Sequence, residues 1–153
     1  MRLWHKDLLP YLDNNRIVAQ WRELLAIKGT IDKHGTPKSS IVNKVLDYPI
    51  THFKCYTMLV CSEMDKRGIK YNMSKLVEVL DWWCTKFKCE DSNLPENLFK
   101  DWHNNRYLQQ CYFNLQEKYD CGAVPQENFD LIETYVENYF LTVNKLRGNW
   151  NAT

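Results

Sequence analysis

Between Ile17 and Ile27, eight of eleven residues are apolar, and the three polar ones, Gln20, Arg22 and Glu23, fall close together. The run predicts a first helix from Asn14, an effective N-cap, to Lys28, with Gly29 just past its end. The same helical recurrence predicts the rest of the chain. A short helix covers Ser39 to Asp47 after the His34-Gly35-Thr36-Pro37 turn. A longer one opens at Pro49, carries Phe53, Thr57, Val60 and Met64 on one stripe with Tyr56 and Leu59 alongside, and closes at Gly68. Ser74 caps a fourth, with Leu76, Val77, Leu80, Trp83 and Phe87 on one side, and a loop spans Asp91 to Pro95. A fifth runs from about His103 to Tyr119 and ends at Gly122; Pro125 opens a sixth that reaches Gly148. No stretch alternates with a period of two, so the expected fold is all-α, a single-domain bundle of about six helices over residues 1–153.

The polar trio in the first helix needs a reason. At about 100° per residue, Ile17, Val18, Trp21, Leu24 and Leu25 share a broad face, and Glu23 is expected nearly opposite it. Its neighbours one turn away are Ala19, Ala26 and Ile27, so no basic residue stands where a surface ion pair would form. Either Glu23 faces solvent past two alanines, or another element covers it and strips its water. The second environment is that of a catalytic acid or base.

Composition narrows the class. Hydrophobic residues make up 44% and aromatics 14%, enough for a packed core, which excludes a disordered chain. No apolar stretch approaches the roughly 20 residues that span a bilayer. The start, "MRLWHKDLLP", is charged where a signal peptide would be apolar, so a cytosolic (cytoplasmic) protein with no membrane partner is expected. The six cysteines contain no C-x-x-C pair; Cys84, Cys89, His103 and Cys111 are a weak metal set, and reduced, buried thiols without metal are the expectation. Net charge is only +1, but residues 1–70 hold twelve Lys and Arg against seven Asp and Glu. Any nucleic-acid contact would favour that first half. "DWHNNRY" brings Trp102, His103 and Arg106 together near a helix start, for packing or for gripping nucleic acid. His5 and His52 read as ordinary structural residues, and Trp82-Trp83 as core on one side and interface on the other.

The segment "WRELLAIKGTIDKH" sets Trp21, Arg22, Glu23, Leu24, Gly29, Lys33 and His34 in the order aromatic-Arg-Glu-Leu, then Gly, then Lys-His. Together with "MRLW", "SEMDKRG" and "NLQEKY", it resembles the pyrimidine-dimer DNA glycosylases of the phage endonuclease V type over about the first 120 residues. The region between Gly68 and Pro95 is longer here, and the helix from Pro125 has no counterpart. Residues 1–122 then form a glycosylase-like region and 123–153 an additional C-terminal helix. The resemblance implies an N-terminal arm that reaches the active site of a combined glycosylase and abasic-site lyase. It implies the α-amine of Met1 as Schiff-base nucleophile and Glu23 as acid/base. It further implies Arg2, Arg22, Lys33, His34 and Lys118 as DNA contacts, damaged or modified double-stranded DNA as partner, and no cofactor.

The chain departs from that pattern at several positions. Met1 stands for a small residue and is expected to be retained before the bulky Arg2; Arg16 stands for a histidine, and Ala26 and Asn114 for arginines. An aromatic tail of the family is absent. These changes bear on the base removed, a cyclobutane dimer or another damaged or modified base, more than on the reaction. A non-catalytic nucleic-acid-binding or protein-interaction module on the same scaffold is the alternative reading.

Overall fold

The structure, a computed structural model, describes residues 2–37, 39–86 and 95–150, with side chains as far as 81 and 144 in the last two stretches. All regular structure among them is helical, as the periodicity predicts. Five α-helices, α1 (Asn14–His34), α2 (Ile50–Lys66), α3 (Met73–Lys86), α4 (Asn105–Asp120) and α5 (Gln126–Trp150), are accompanied by two 3₁₀ turns, Lys6–Tyr11 before α1 and Val42–Asp47 between α1 and α2. α1 packs on α2 and α3, α4 packs on α5, and the Lys6–Tyr11 turn is gripped by both α2 and α5. No helix among the described residues is long and apolar enough to cross a membrane.

Several boundaries differ from the sequence expectation, each for a local reason. α1 runs through Gly29 to His34 because Ile27 and Ile31, both buried, carry the core stripe one turn further. Burying an isoleucine contributes about 1.5–3 kcal/mol, more than the roughly 1 kcal/mol cost of a helical glycine. The helix ends at Gly35, whose φ of 76° is left-handed and whose N–H donates to the Ile31 carbonyl at 2.8 Å. Lys33 and His34 therefore sit in the last helical turn rather than in a loop. Asp13, not Asn14, caps the start, its carboxylate accepting the Arg16 N–H at 3.2 Å. α3 begins before Ser74; Asn72 takes the capping role by accepting the Lys75 N–H at 3.1 Å. α4 is capped by Asn104, which leaves the buried His103 outside the helix. The Ser39–Asp47 helix is reduced to the 3₁₀ turn at Val42–Asp47.

The predicted α2 stripe, Phe53, Thr57, Val60 and Met64, is buried together with Tyr56, whereas Leu59 and, in α3, Val77 are exposed. The side chains of Trp82, Trp83 and Cys84 lie outside those described, as do Phe87, Cys89 and the loop from Asp91 to Leu94. α5 docks through aromatic contacts: Phe129 stacks on Tyr119 at 4.3 Å between ring centroids, and Tyr135 on Tyr11 at 4.9 Å. Asn128 adds a hydrogen bond to the Tyr11 carbonyl at 3.1 Å.

Candidate active site

Residues 2–5 have no regular structure, yet all four of their carbonyls and two of their four N–H groups are paired. Every second N–H finds a side chain. Arg2 N–H donates to Glu23 Oε2 at 2.8 Å, Trp4 N–H to Gln20 Oε1 at 2.9 Å, and Lys6 N–H to His103 Nδ1 at 3.0 Å. The carbonyls are met as well: Gln20 Nε2 donates to Arg2 O at 3.2 Å, the Tyr107 hydroxyl to Leu3 O at 2.6 Å, and the Tyr56 hydroxyl to Trp4 O at 2.7 Å. The arm is thus held like a strand, but by side chains of α1, α2 and α4. A backbone with its own ladder partner would need none of them.

Gln20 is the centre of this arrangement. It is 1% exposed, and its amide bonds the arm with both ends while Oε1 lies 3.1 Å from the Tyr56 hydroxyl. The buried face of α1, Ile17, Gln20, Trp21, Leu24, Ile27 and Ile31, therefore lies closer to Glu23 than expected. Glu23 stands on the edge of that face, about 90° from its centre, rather than opposite it. The arm packs on this edge and leaves Glu23 half-buried. Both hydrogen bonds to the carboxylate, from Arg2 N–H and, at 3.5 Å, from Gln20 Nε2, fall on Oε2. Oε1 accepts none among the described residues.

The surroundings are dry and aromatic. Burial pushes the Tyr56 and Tyr107 phenols well above their ordinary range, so both stay protonated donors to the arm. Burial also holds His103 well below the usual histidine range, and neighbouring His5 and Lys6 push the same way. His103 stacks on His5 at 5.1 Å, and its Nε2 is buried without a partner among the described residues. A neutral ring is what the Lys6 N–H requires as an acceptor.

The other expected site residues are spread more widely. Met1 lies outside the described residues, one peptide bond from the N–H that Glu23 accepts. Arg2 places its guanidinium 5.7 Å from the Trp4 ring centroid. Arg22 is exposed, next to Glu23 in sequence but on the outer flank of α1. Lys33 and His34 are exposed about 15 Å further along the same helix. Lys118 is half-buried in the last turn of α4. The structure brings Arg2 and Glu23 together and does not gather Lys33, His34 or Lys118 around them. Among the departures, Arg16 is tied to Asp13 in an ion pair, Ala26 is exposed, and Asn114 lines a cleft of about 800 Å³ beside Arg2.

Sequence reasoning misses Gln20, Tyr56 and Tyr107 as the residues that hold the arm. Only Gln20 carries a signal, as an amide within an apolar run. Tyr56 lies alongside an apolar stripe and Tyr107 at the end of "DWHNNRY", and neither position points to the arm. No group of His, Cys, Asp and Glu among the described residues is arranged to hold a metal ion. His103, a candidate ligand by sequence, uses Nδ1 for the arm.

A family model described as pyrimidine dimer DNA glycosylase matches residues 1–77, which take in the arm, α1, α2 and the start of α3. No curated protein and no solved structure matches the chain.

Proposed function

The chain belongs to the pyrimidine dimer DNA glycosylase family, and from that premise we propose that it also acts as an abasic-site lyase through the α-amine of Met1 and the carboxylate of Glu23. DNA is its substrate; double-stranded DNA bearing a damaged or modified base is the form proposed. The observation that carries the reading is the 2.8 Å bond from Arg2 N–H to Glu23 Oε2, which ties the carboxylate to the first peptide of the chain.

The chemistry follows from two ionisable groups. An α-amine titrates near 7.7–8.0, so a useful share is neutral at about pH 7.5 and carries a free electron pair. That pair attacks C1′ of the damaged nucleotide, and the base departs with the glycosidic electrons and takes up a proton. Loss of the amine proton and opening of the sugar ring give a C1′ imine. Glu23 Oε1 then removes a proton from C2′, and the electrons of that bond expel the 3′ phosphate by β-elimination. Water hydrolyses the imine and restores the amine. Glu23 serves best if Oε2 stays anchored to the arm while Oε1 carries the proton.

Arg2 and Arg22 would neutralise phosphates flanking the opened nucleotide, and Lys33, His34 and Lys118 would contact the duplex further out. An abasic-site duplex incubated with the protein and borohydride tests the reading, because borohydride reduces the imine to a stable secondary amine. Mass spectrometry is expected to place the adduct on Met1. An adduct on a lysine side chain, or none on a duplex that binds, would overturn the mechanism.

A further inference from the structure

The cleft beside Arg2 carries a feature that the family pattern does not supply. Arg106, Gln110, Phe113 and Asn114 all line it, at helical spacing that puts them on one face of α4. Lys44, from the Val42–Asp47 turn, lines the same cleft. Three cations, Arg2, Lys44 and Arg106, thus converge against one carboxylate, Glu117, in a chain whose net charge is only +1. Lys44 and Arg106 are exposed and have no ion-pair partner among the described residues. Phe113, at 60% exposure, stands among these charges rather than in the core. A cationic rim with an exposed aromatic wall is the chemistry that holds a nucleic-acid strand: phosphate on the cations, a base face on the ring.

The geometry points to this cleft as a strand-binding seat, in which Lys44 and Arg106 hold phosphates and Phe113 stacks on a base of the DNA strand that leads past Arg2 to Glu23. It rests on the DNA-glycosylase reading and names the residues that grip the substrate. Asn114, where an arginine is expected, lines the same wall two turns along the helix from Arg106. The positive charge that the expected position lacks is therefore supplied on the same face, about 12 Å away.

Binding of the full chain to a non-cleavable duplex, carrying a tetrahydrofuran abasic analogue, tests this by fluorescence anisotropy across about 50–200 mM salt. Lys44→Ala with Arg106→Ala is expected to reduce the slope of log affinity against log salt by roughly two, about 0.9 for each phosphate no longer neutralised. Lys44→Arg with Arg106→Lys is expected to keep the wild-type slope. Phe113→Ala is expected to weaken binding roughly 5- to 150-fold with the slope unchanged, because a stacked base carries no charge. A wild-type slope in the double alanine variant would overturn the proposal, as would wild-type affinity in Phe113→Ala. Borohydride trapping keeps the two readings apart. Trapping on Met1 with an unchanged slope removes the cleft and leaves the lyase; a reduced slope without trapping does the reverse.

Discussion

Glu23 and Arg2, 21 positions apart in the chain, meet through a 2.8 Å bond from backbone N–H to carboxylate. The bond fixes the distance between the acid on α1 and the first peptide without using the Arg2 side chain. It also explains why an acid is tolerated on a largely apolar helix: part of its lost hydration is replaced by a donor that no other group satisfies.

Replacing Glu23 with glutamine separates that structural role from the chemical one. The amide oxygen still accepts the Arg2 N–H, so melting temperature and helix content are expected to stay close to wild type. An amide cannot remove the C2′ proton, so strand scission is expected to fall about 10²–10⁴-fold. Gel assays on abasic duplex beside calorimetry check both halves. Full scission by Glu23→Gln would assign the proton transfer elsewhere.

Gln20→Leu attacks the arm rather than the acid. It leaves Trp4 N–H and Arg2 C=O without their partners, while the Tyr56 hydroxyl keeps the Trp4 carbonyl as its acceptor. Each buried group left unpaired costs about 1–3 kcal/mol, so for the two a loss of about 2–6 kcal/mol is expected. Unfolding in urea measures it. Borohydride trapping should slow by more than Phe-for-Tyr exchange at position 107 produces, since that change removes one arm bond and Gln20→Leu removes two.

Histidines set the acid side of stability. His5, His52 and His103 all have pKa values lowered by burial, His103 the most. In the unfolded chain they protonate near 6.5, and in the folded chain only at lower pH. The unfolded state therefore binds more protons in that interval, and stability present above about pH 6.5 is lost as pH falls towards the folded values. Melting temperature is expected to drop between about pH 7.5 and about pH 5. His103→Phe should be less stable at neutral pH, where Lys6 N–H loses its acceptor, and should show a shallower decline. An equally steep decline in that variant would place the effect on other groups.

How much of this is legible in the sequence differs between the helices and the site. Apolar recurrence locates all five α-helices, because each one buries a stripe and the stripe has helical period. Their ends are misplaced where a glycine is taken for a stop: Gly29 lies inside α1 because Ile31 still has a core to enter, whereas Gly35 has φ 76° and does end it. The neighbours of Glu23 show that it lacks a surface ion pair along the helix, but they do not give its direction, since a buried glutamine at position 20 turns the helix face. The arm's partners are beyond reach. Tyr56 and Tyr107 bond to it across 52 and 104 positions, and such pairings leave no local pattern.

The C-terminal helix α5 is expected to melt with the rest of the chain. Phe129 is 5% exposed and lies parallel to Tyr119 within 4°, at 4.3 Å. The same helix holds the Lys6–Tyr11 turn through Asn128 and Tyr135, so it buttresses the segment from which the arm extends. Phe129→Ala removes a buried ring and is expected to cost about 3–5 kcal/mol, a drop of roughly 6–20 °C in a chain of this size. If α5 is part of the same cooperative unit, calorimetry shows one transition moved bodily downward. A second, low-temperature transition that leaves the main one in place would mean that α5 melts alone. Because the arm is anchored to the turn that α5 grips, trapping by Phe129→Ala should then fail at a lower temperature than in wild type, in step with its melting.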